Sequence, residues 1–215
     1  MELAALRGHE RIEVRVPTDL QLWQRACDGD TAAFGMLFDR HARAIYNYCF
    51  RRTADWSAAE DLTSLAFLEA WRRRADVQFL DGRVLPWLYG VATNLVHNHR
   101  RTMRRRRRAL ARLAPGQELP DFADEVVERV ADEQQMRDLL QRLRGLQREM
   151  QDVLALCAWC EMSYEDAALA LGVPVGTVRS RLSRARARLA EPQARSGHER
   201  GVIDPSTATG SETAA

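Results

Sequence analysis

Arginine side chains recur at helical spacing between Val175 and Leu189, in a pattern suited to contacting the edges of DNA bases. A guanidinium group is a planar fork of N–H donors, and it can bond a guanine in the major groove with two of them. Apolar residues of the same segment are spaced three and four apart, which predicts a helix with one buried stripe. The other face of this helix is predicted to contact duplex DNA through Thr177, Arg179, Ser180, Arg181, Ser183, Arg184 and Arg188.

The residues just before this segment predict the turn that positions it. Ser163 can cap a preceding helix, with Asp166 three residues later in a variant of the capping box. Gly172 suits the left-handed position after a helix end, and Pro174 fits the first turn of the next helix. The pattern is typical of a helix-turn-helix. The alternative, a solvated helix in an unrelated bundle, would not require so tight a turn.

A second basic segment places seven arginines in the nine positions from Arg100 to Arg108, inside a stretch without acidic residues from Gly82 to Gln117. A frayed helix end, favoured by the helix dipole, would account for a few of them, and the remainder indicate a surface that follows phosphates. Aromatic, amide and imidazole side chains precede the arginines, and stacking rings beside a basic track suit single-stranded DNA. Trp87 is also a candidate core residue, because it begins a packed helix. The candidate single-strand contacts are Trp87, Tyr89, Asn94, His97, Asn98, Arg100, Arg101, Arg104 and Arg105.

The rest of the chain is predicted to be helical, and its charge is divided by segment although the net charge is only +2. We expect a first domain of four helices over residues 18–112 and a second domain, with the helix-turn-helix, over residues 136–191. Residues 113–135 are predicted to form a flexible acidic linker, of which 115–131 could span about 55–60 Å at ~3.3–3.6 Å per residue. Residues 1–17 are predicted to be a flexible extension, and residues 192–215 a disordered tail.

The sequence offers no pattern typical of a catalytic centre, a metal site or a cofactor site. Cys157 and Cys160 form a CxxC pair without a second pair nearby, so small buried helix residues are favoured over a metal or redox site. His97 and His99 are two residues apart and therefore lie on different faces of a helix. No apolar run has the length of a membrane span and no secretory signal is visible, so we expect a cytoplasmic protein without membrane contact.

Three blocks of this sequence, taken together and in order, resemble the extracytoplasmic-function group of bacterial sigma factors in the sigma-70 family. The first two are AEDLTSLAFLEAWRRR at residues 59–74 and PWLYGVATNLVHNHRR at residues 86–101, which are similar to region 2. The third is SYEDAALALGVPVGTVRSRLSRARARL at residues 163–189, which is similar to region 4. The resemblance covers about Leu20 to Glu191.

This resemblance implies an all-α fold, with a region 2 helical bundle and a region 4 helix-turn-helix joined by the acidic linker. It implies that the arginine-rich helix reads the minus-35 promoter element, and that the helix from Pro86, with the loop before it, opens and holds the minus-10 element. The implied partners are promoter DNA and core RNA polymerase, through its β′ clamp helices and β flap, while an anti-sigma factor is left open. Phe67 and Trp71 are expected to lie mostly in the core. The implied polymerase-binding residues are Asp61, Leu62, Ser64, Leu65, Phe67, Leu68 and Trp71.

Two other classes of function are compatible with parts of the pattern. A stand-alone helix-turn-helix repressor or activator would bind a specific duplex by itself, with paired half-sites. An enzyme would have to use Cys157 and Cys160, or His97 and His99.

Overall fold

The computed structural model describes residues 16–77, 79, 82–113 and 127–190, and these contain helices and connecting turns with no β-strand. The helices are α1 Asp19–Cys27, α2 Thr31–Thr53, α3 Trp56–Arg73, α4 Val84–Leu113, α5 Val127–Arg142, α6 Arg148–Leu154, α7 Tyr164–Leu171 and α8 Val175–Ala190. A short 3-10 turn, Leu143–Gly145, precedes α6, and a π-helical turn, Ala155–Trp159, follows it. The all-α fold that the sequence predicts is confirmed.

Side-chain caps fix where the first helices begin. The Thr18 hydroxyl accepts a hydrogen bond from the Gln21 N–H, and the Gln21 side chain accepts one from the Thr18 N–H, which is a complete capping box at α1. Asp30 and Asp55 cap α2 and α3 in the same manner, through the N–H groups of Ala33 and Ala58. Each cap satisfies a backbone donor that the helix itself leaves unpaired.

The first four helices pack on a common core, which we call the first module. Trp23, Leu37, Tyr48, Leu62 and Leu88 contribute to it from α1 to α4 and are almost completely buried. The helices α6 to α8 form a second module, and α5 leads into it, in contact with the 3-10 turn before α6 and with α2 of the first module. Its recognition helix, α8, buries one stripe: Val178, Leu182 and Ala185.

The helix-turn-helix forms as its residues predict. The Ser163 hydroxyl accepts from the Asp166 N–H at 3.0 Å and donates to the Asp166 carboxylate at 2.8 Å. Gly172 ends α7 in the left-handed region, at φ 63°, where a residue with a side chain is strained. Pro174 lies between the two helices and accepts from Thr177 N–H at its carbonyl.

The structure differs from the predicted linker at its second end. Helix α5 begins at Val127, so residues 127–135, which the sequence analysis placed in a flexible linker, are helical. Within α5 the Glu133 carboxylate pairs with Arg137 one turn later, and it also accepts a hydrogen bond from the Trp56 backbone N–H at 3.1 Å, which ties α5 to the start of α3. Residues 114–126, 1–15 and 191–215 lie outside the described residues, and so do the predicted extension, most of the linker and the tail.

The two modules pack directly against each other. Helix α4 lies along α7, and Gly90 allows the approach, because a Cβ atom at this position would lie 2.4 Å from the Ala170 carbonyl oxygen. The Arg51 guanidinium donates across the same boundary to the Trp159 carbonyl at 2.6 Å. We call the boundary between α2 and α4 on one side and α6 and α7 on the other the seam.

Candidate nucleic-acid and polymerase interfaces

The free face of α8 carries the predicted duplex contacts. Arg179 and Arg184 are exposed, whereas Arg181 is half-buried. The Arg184 guanidinium donates to the Ser180 carbonyl at 3.2 Å, and the Arg179 guanidinium lies 3.8 Å from the Glu165 carboxylate and over the Tyr164 ring. Of the other predicted members, Ser180, Ser183 and Arg188 are exposed and Thr177 is half-buried. Because these contacts involve only α8 and the neighbouring α7, the arginine side chains can rotate towards DNA while both helices stay folded.

The predicted single-strand residues divide into exposed and covered groups. Asn94, Asn98, Arg101, Arg104 and Arg105 are exposed on α4, as are the arginines that follow them to Arg108. None of these arginines forms an ion pair with a carboxylate among the residues that the structure describes. A row of unpaired guanidinium groups is suited to neutralising phosphates.

Trp87 is held by aromatic neighbours. Its ring meets Trp23 edge-on at 5.5 Å and Phe79 at 5.8 Å, and the Arg73 guanidinium lies over it at 5.9 Å. The Trp23 indole N–H donates to the Val77 carbonyl at 3.1 Å. The cluster therefore holds Val77 and Phe79 against α1 and α4, and Trp87, which is half-buried, belongs in part to the core.

Tyr89, His97 and Arg100 face the second module instead of solvent. Tyr89 is 5 % exposed and lies against Cys160, and its burial raises the pKa of its hydroxyl. His97 contacts Asp152 at 3.0 Å. Arg100 donates to the Gln151 amide oxygen, and burial together with the neighbouring Arg52 lowers the pKa of its guanidinium to about 10.

A buried polar cluster lies at the centre of the seam, and sequence reasoning did not identify it. The Arg52 guanidinium donates to the Asp152 carboxylate at 2.6 Å and to the Tyr48 hydroxyl at 3.0 Å, and Tyr48 is paired with Thr93 at 2.6 Å. Arg52 and Asp152 have side chains that are 1 % and 6 % exposed. Burial acts to raise the pKa of Asp152, but His97 and Arg52 hold it below its ordinary value. The signal in the sequence is that both charges share a helix face with apolar residues: Cys49 lies three residues before Arg52, and Leu156 lies four residues after Asp152.

The predicted polymerase-binding residues of α3 also separate by exposure. Leu65 and Leu68 are 47 % and 42 % exposed, and Asp61 and Ser64 are exposed beside them. Leu62 and Phe67 are buried. Trp71 is half-buried and meets the Phe34 ring at 5.1 Å. The exposed leucines form an apolar surface on a helix whose opposite side fills the core.

The cysteines are placed as packing residues. Cys157 and Cys160 are half-buried free thiols in the π-helical turn and after it, and burial raises the pKa of both. A raised pKa makes a thiol less reactive. Within the described ranges there is no group of His, Cys, Asp or Glu side chains placed to hold a metal ion, and no helix of sufficient length and apolar character to cross a bilayer.

Comparison with known proteins identifies both modules. Residues 37–109 match the family model for sigma-70 region 2, and residues 136–189 match that for sigma-70 region 4. The chain is 31 % identical over 173 residues to the RNA polymerase sigma factor NccH of Alcaligenes xylosoxydans xylosoxydans, covering 80 % of this chain and 92 % of NccH. It is 32 % identical over 181 residues to the ECF RNA polymerase sigma factor SigE of Mycolicibacterium smegmatis, covering 80 % of this chain and 66 % of SigE.

A solved structure with the same fold is that of CnrH in complex with the cytosolic domain of CnrY. It superposes with a TM-score of 0.59 at 25 % identity, covering 80 % of this chain and 94 % of CnrH.

The fold and its two basic surfaces define a transcription initiation factor built from sigma regions 2 and 4. The chain belongs to the extracytoplasmic-function group of the sigma-70 family. It directs transcription initiation with core RNA polymerase and promoter DNA as its partners, in a family of initiation factors that are not themselves enzymes.

Proposed function

We propose that α8 of this sigma factor reads the minus-35 element, that α4 opens and holds the minus-10 element, and that α3 docks on the β′ clamp helices of core polymerase. We further propose that the second module contacts the β flap. One observation carries the minus-35 assignment: α8 buries Val178, Leu182 and Ala185, and its arginines lie on the opposite face. The capped helix α7 and the left-handed Gly172 precede α8 and set its orientation. A helix presented in this way can enter the major groove with its N-terminal half leading.

The minus-10 assignment is supported by the two kinds of exposed side chain on α4, arginine and asparagine. Arg101, Arg104 and Arg105 can neutralise phosphates of any sequence, whereas the amides of Asn94 and Asn98 can also bond the Watson–Crick edges of bases that have left the duplex. All five side chains are exposed on one helix. Opening and holding a strand requires both kinds of contact, so α4 is suited to it.

The polymerase assignment is supported by the exposure of Leu65 and Leu68, which docking would cover. The nucleotide chemistry belongs to the polymerase, so we assign no catalytic residue, metal or cofactor to this chain. Its place of action follows from that of its polymerase, the cytoplasm. Because CnrH is found in complex with the cytosolic domain of CnrY, we also propose that a second protein binds this chain, in the role that the sequence analysis left open for an anti-sigma factor.

The melting role is tested with an Asn94→Ala variant on two templates, one fully paired and one already mismatched at the minus-10 element. We expect the variant to lose activity on the paired template and to recover it on the mismatched one. Asn47→Ala is the matched control, since Asn47 is an exposed asparagine on α2, in a groove beside α5. Equal loss on both templates would show that Asn94 does not act in strand opening.

A further inference from the structure

A basic cleft lies between the C-terminal half of α4, the end of α2 and the 3-10 turn before α6. Its volume of about 560 Å³ is within the range of about 300–1,000 Å³ that is typical of small-molecule sites. Arg100, Arg104 and Arg107 of α4 line it, together with Arg144 of the 3-10 turn. Asp55 is the one carboxylate among the described residues of its wall, and it accepts the capping hydrogen bond of α3.

Helical spacing divides the arginines of α4 into two stripes. Residues 100, 104 and 107 are four and three apart and share one face of the helix, whereas residues 101, 105 and 108 share the neighbouring face. The first stripe lines the basic cleft, and the second stripe is exposed and takes no part in its wall. The second stripe is therefore free to follow the phosphates of a DNA strand. The first stripe borders a space that other elements enclose, although Arg104, which is exposed, can serve either surface.

Arg100 is the half-buried member of the first stripe, and neutral groups hold it in place. Its guanidinium donates to the Gln151 amide oxygen at 3.3 Å and to the Arg52 backbone carbonyl. The Gln151 amide nitrogen donates to the Leu143 and Leu146 carbonyls, both at 3.0 Å, which fixes the direction of its oxygen. A guanidinium group has five N–H donors, so donors of Arg100 remain for a ligand.

The positive charge of the cleft lacks an anion to balance it. Arg52, also in the wall, is paired with Asp152. Burial, together with the neighbouring Arg52, lowers the pKa of the Arg100 guanidinium to about 10, so an added negative charge beside it would be favourable. The cations of the wall without an ion pair to any described carboxylate are Arg100, Arg104, Arg107 and Arg144.

We propose that the basic cleft binds a small polyphosphate, an anion with two or three linked phosphate groups, which the arginines of α4 and Arg144 hold from two sides. Guanidinium forks bond phosphate oxygens in bidentate pairs, and linked phosphates place several such oxygens within one small site. The anion is either inorganic or the phosphate chain of a nucleotide. Met103 and Leu140 are half-buried in the wall and would contact the base of a nucleotide, which an inorganic anion lacks.

Two variants remove one cation each from the cleft: Arg107→Ala on α4 and Arg144→Ala on the 3-10 turn. Neither residue is among those that we assign to the minus-10 element. Arg108→Ala and Arg142→Ala are the matched controls, because each removes an exposed arginine close in sequence that does not line the cleft. All four variants change the net charge equally, so a difference between the pairs reports position. Arg100 is left unchanged because it also joins α4 to α6.

Isothermal titration of the full chain with inorganic triphosphate, ATP and sulfate measures the site without DNA or polymerase. The titrations use about 0.15 M ionic strength, where charges more than about 8 Å apart are largely screened. We expect one triphosphate per chain and weaker binding of sulfate. Arg107→Ala and Arg144→Ala should each raise the Kd for triphosphate by about tenfold, the effect of losing a hydrogen bond between charged groups, while both controls stay near the wild-type value.

The two sources of the anion are separated by comparing ATP with triphosphate. Tighter binding of ATP, reduced by Met103→Ala, would support a nucleotide, and equal binding would support an inorganic anion. Absence of saturable binding in wild-type chain that circular dichroism shows to be folded would overturn the proposal. Equal losses in cleft and control variants would overturn it as well, since they would report only general attraction. A single-stranded oligonucleotide that loses as much affinity as triphosphate in Arg107→Ala and Arg144→Ala would assign the cleft to DNA instead.

Discussion

Replacing Leu65 and Leu68 of α3 by glutamate is expected to release the chain from core polymerase while its fold remains intact. The two side chains are 47 % and 42 % exposed, so slightly less than half of each is available for a partner to cover. Covering a whole leucine contributes about 1.5–3 kcal/mol, and covering this part contributes about 1 kcal/mol for each residue. Truncation to alanine should therefore weaken binding about fivefold for each leucine.

The glutamate variants add the cost of removing a carboxylate from water, which raises the expected loss to at least 100-fold in Kd. Fluorescence anisotropy of labelled chain titrated with core polymerase measures this loss, and thermal unfolding checks the fold. Asn47→Glu is the control, because it adds the same charge at an exposed position on α2. A further comparison is Phe67→Ala: its side chain is 4 % exposed, so it should cost about 3–5 kcal/mol of stability. If Leu65→Glu and Leu68→Glu leave the polymerase Kd unchanged, the docking surface lies elsewhere.

Three further predictions concern DNA contacts and the backbone. Arg184→Ala should reduce the binding free energy by about 1–3 kcal/mol at particular minus-35 base pairs. A series of single-base promoter variants measures this as a relaxed sequence preference, and an unchanged preference would refute the contact. Changing Arg104 and Arg105 to alanine should weaken promoter binding in all sequences and reduce the slope of log K against log salt by about 1.8 in total, at about 0.9 per phosphate contact; an unchanged slope would count against the phosphate track. Glu161 is exposed and has φ 53°, in the left-handed region that glycine adopts without strain. Glu161→Gly should therefore raise the free energy of unfolding of the protein by about 1 kcal/mol, measured by urea denaturation. A loss of stability would contradict this reasoning.

Local signals in the sequence were sufficient for the helices of the first module and for the recognition helix. Ser163, Gly172 and Pro174 act through hydrogen bonds and backbone angles within a few residues, so their effect can be predicted without the rest of the fold. The stripe of Val178 and Leu182 similarly identifies the buried face of α8 from spacing alone.

Contacts between distant residues could not be predicted in this way. Periodicity shows that a helix face is buried but does not show what covers it, so Tyr89, an expected base contact, lies against Cys160 instead. Helix α5 is tied to the start of α3 by a hydrogen bond between Glu133 and the Trp56 backbone N–H, which are 77 residues apart. The assignments of individual residues to the minus-10 element, the minus-35 element and the polymerase remain predictions.

Run-off transcription with the purified chain, core RNA polymerase and a library of genomic fragments tests the central claim most directly. The account predicts discrete start sites that appear only when the chain and the polymerase are both present, preceded at a constant distance by two shared sequence elements. The free chain should show little specific binding to the same fragments. Tight binding of the free chain to paired half-sites, with no new start sites on addition of polymerase, would contradict the account and indicate a stand-alone regulator.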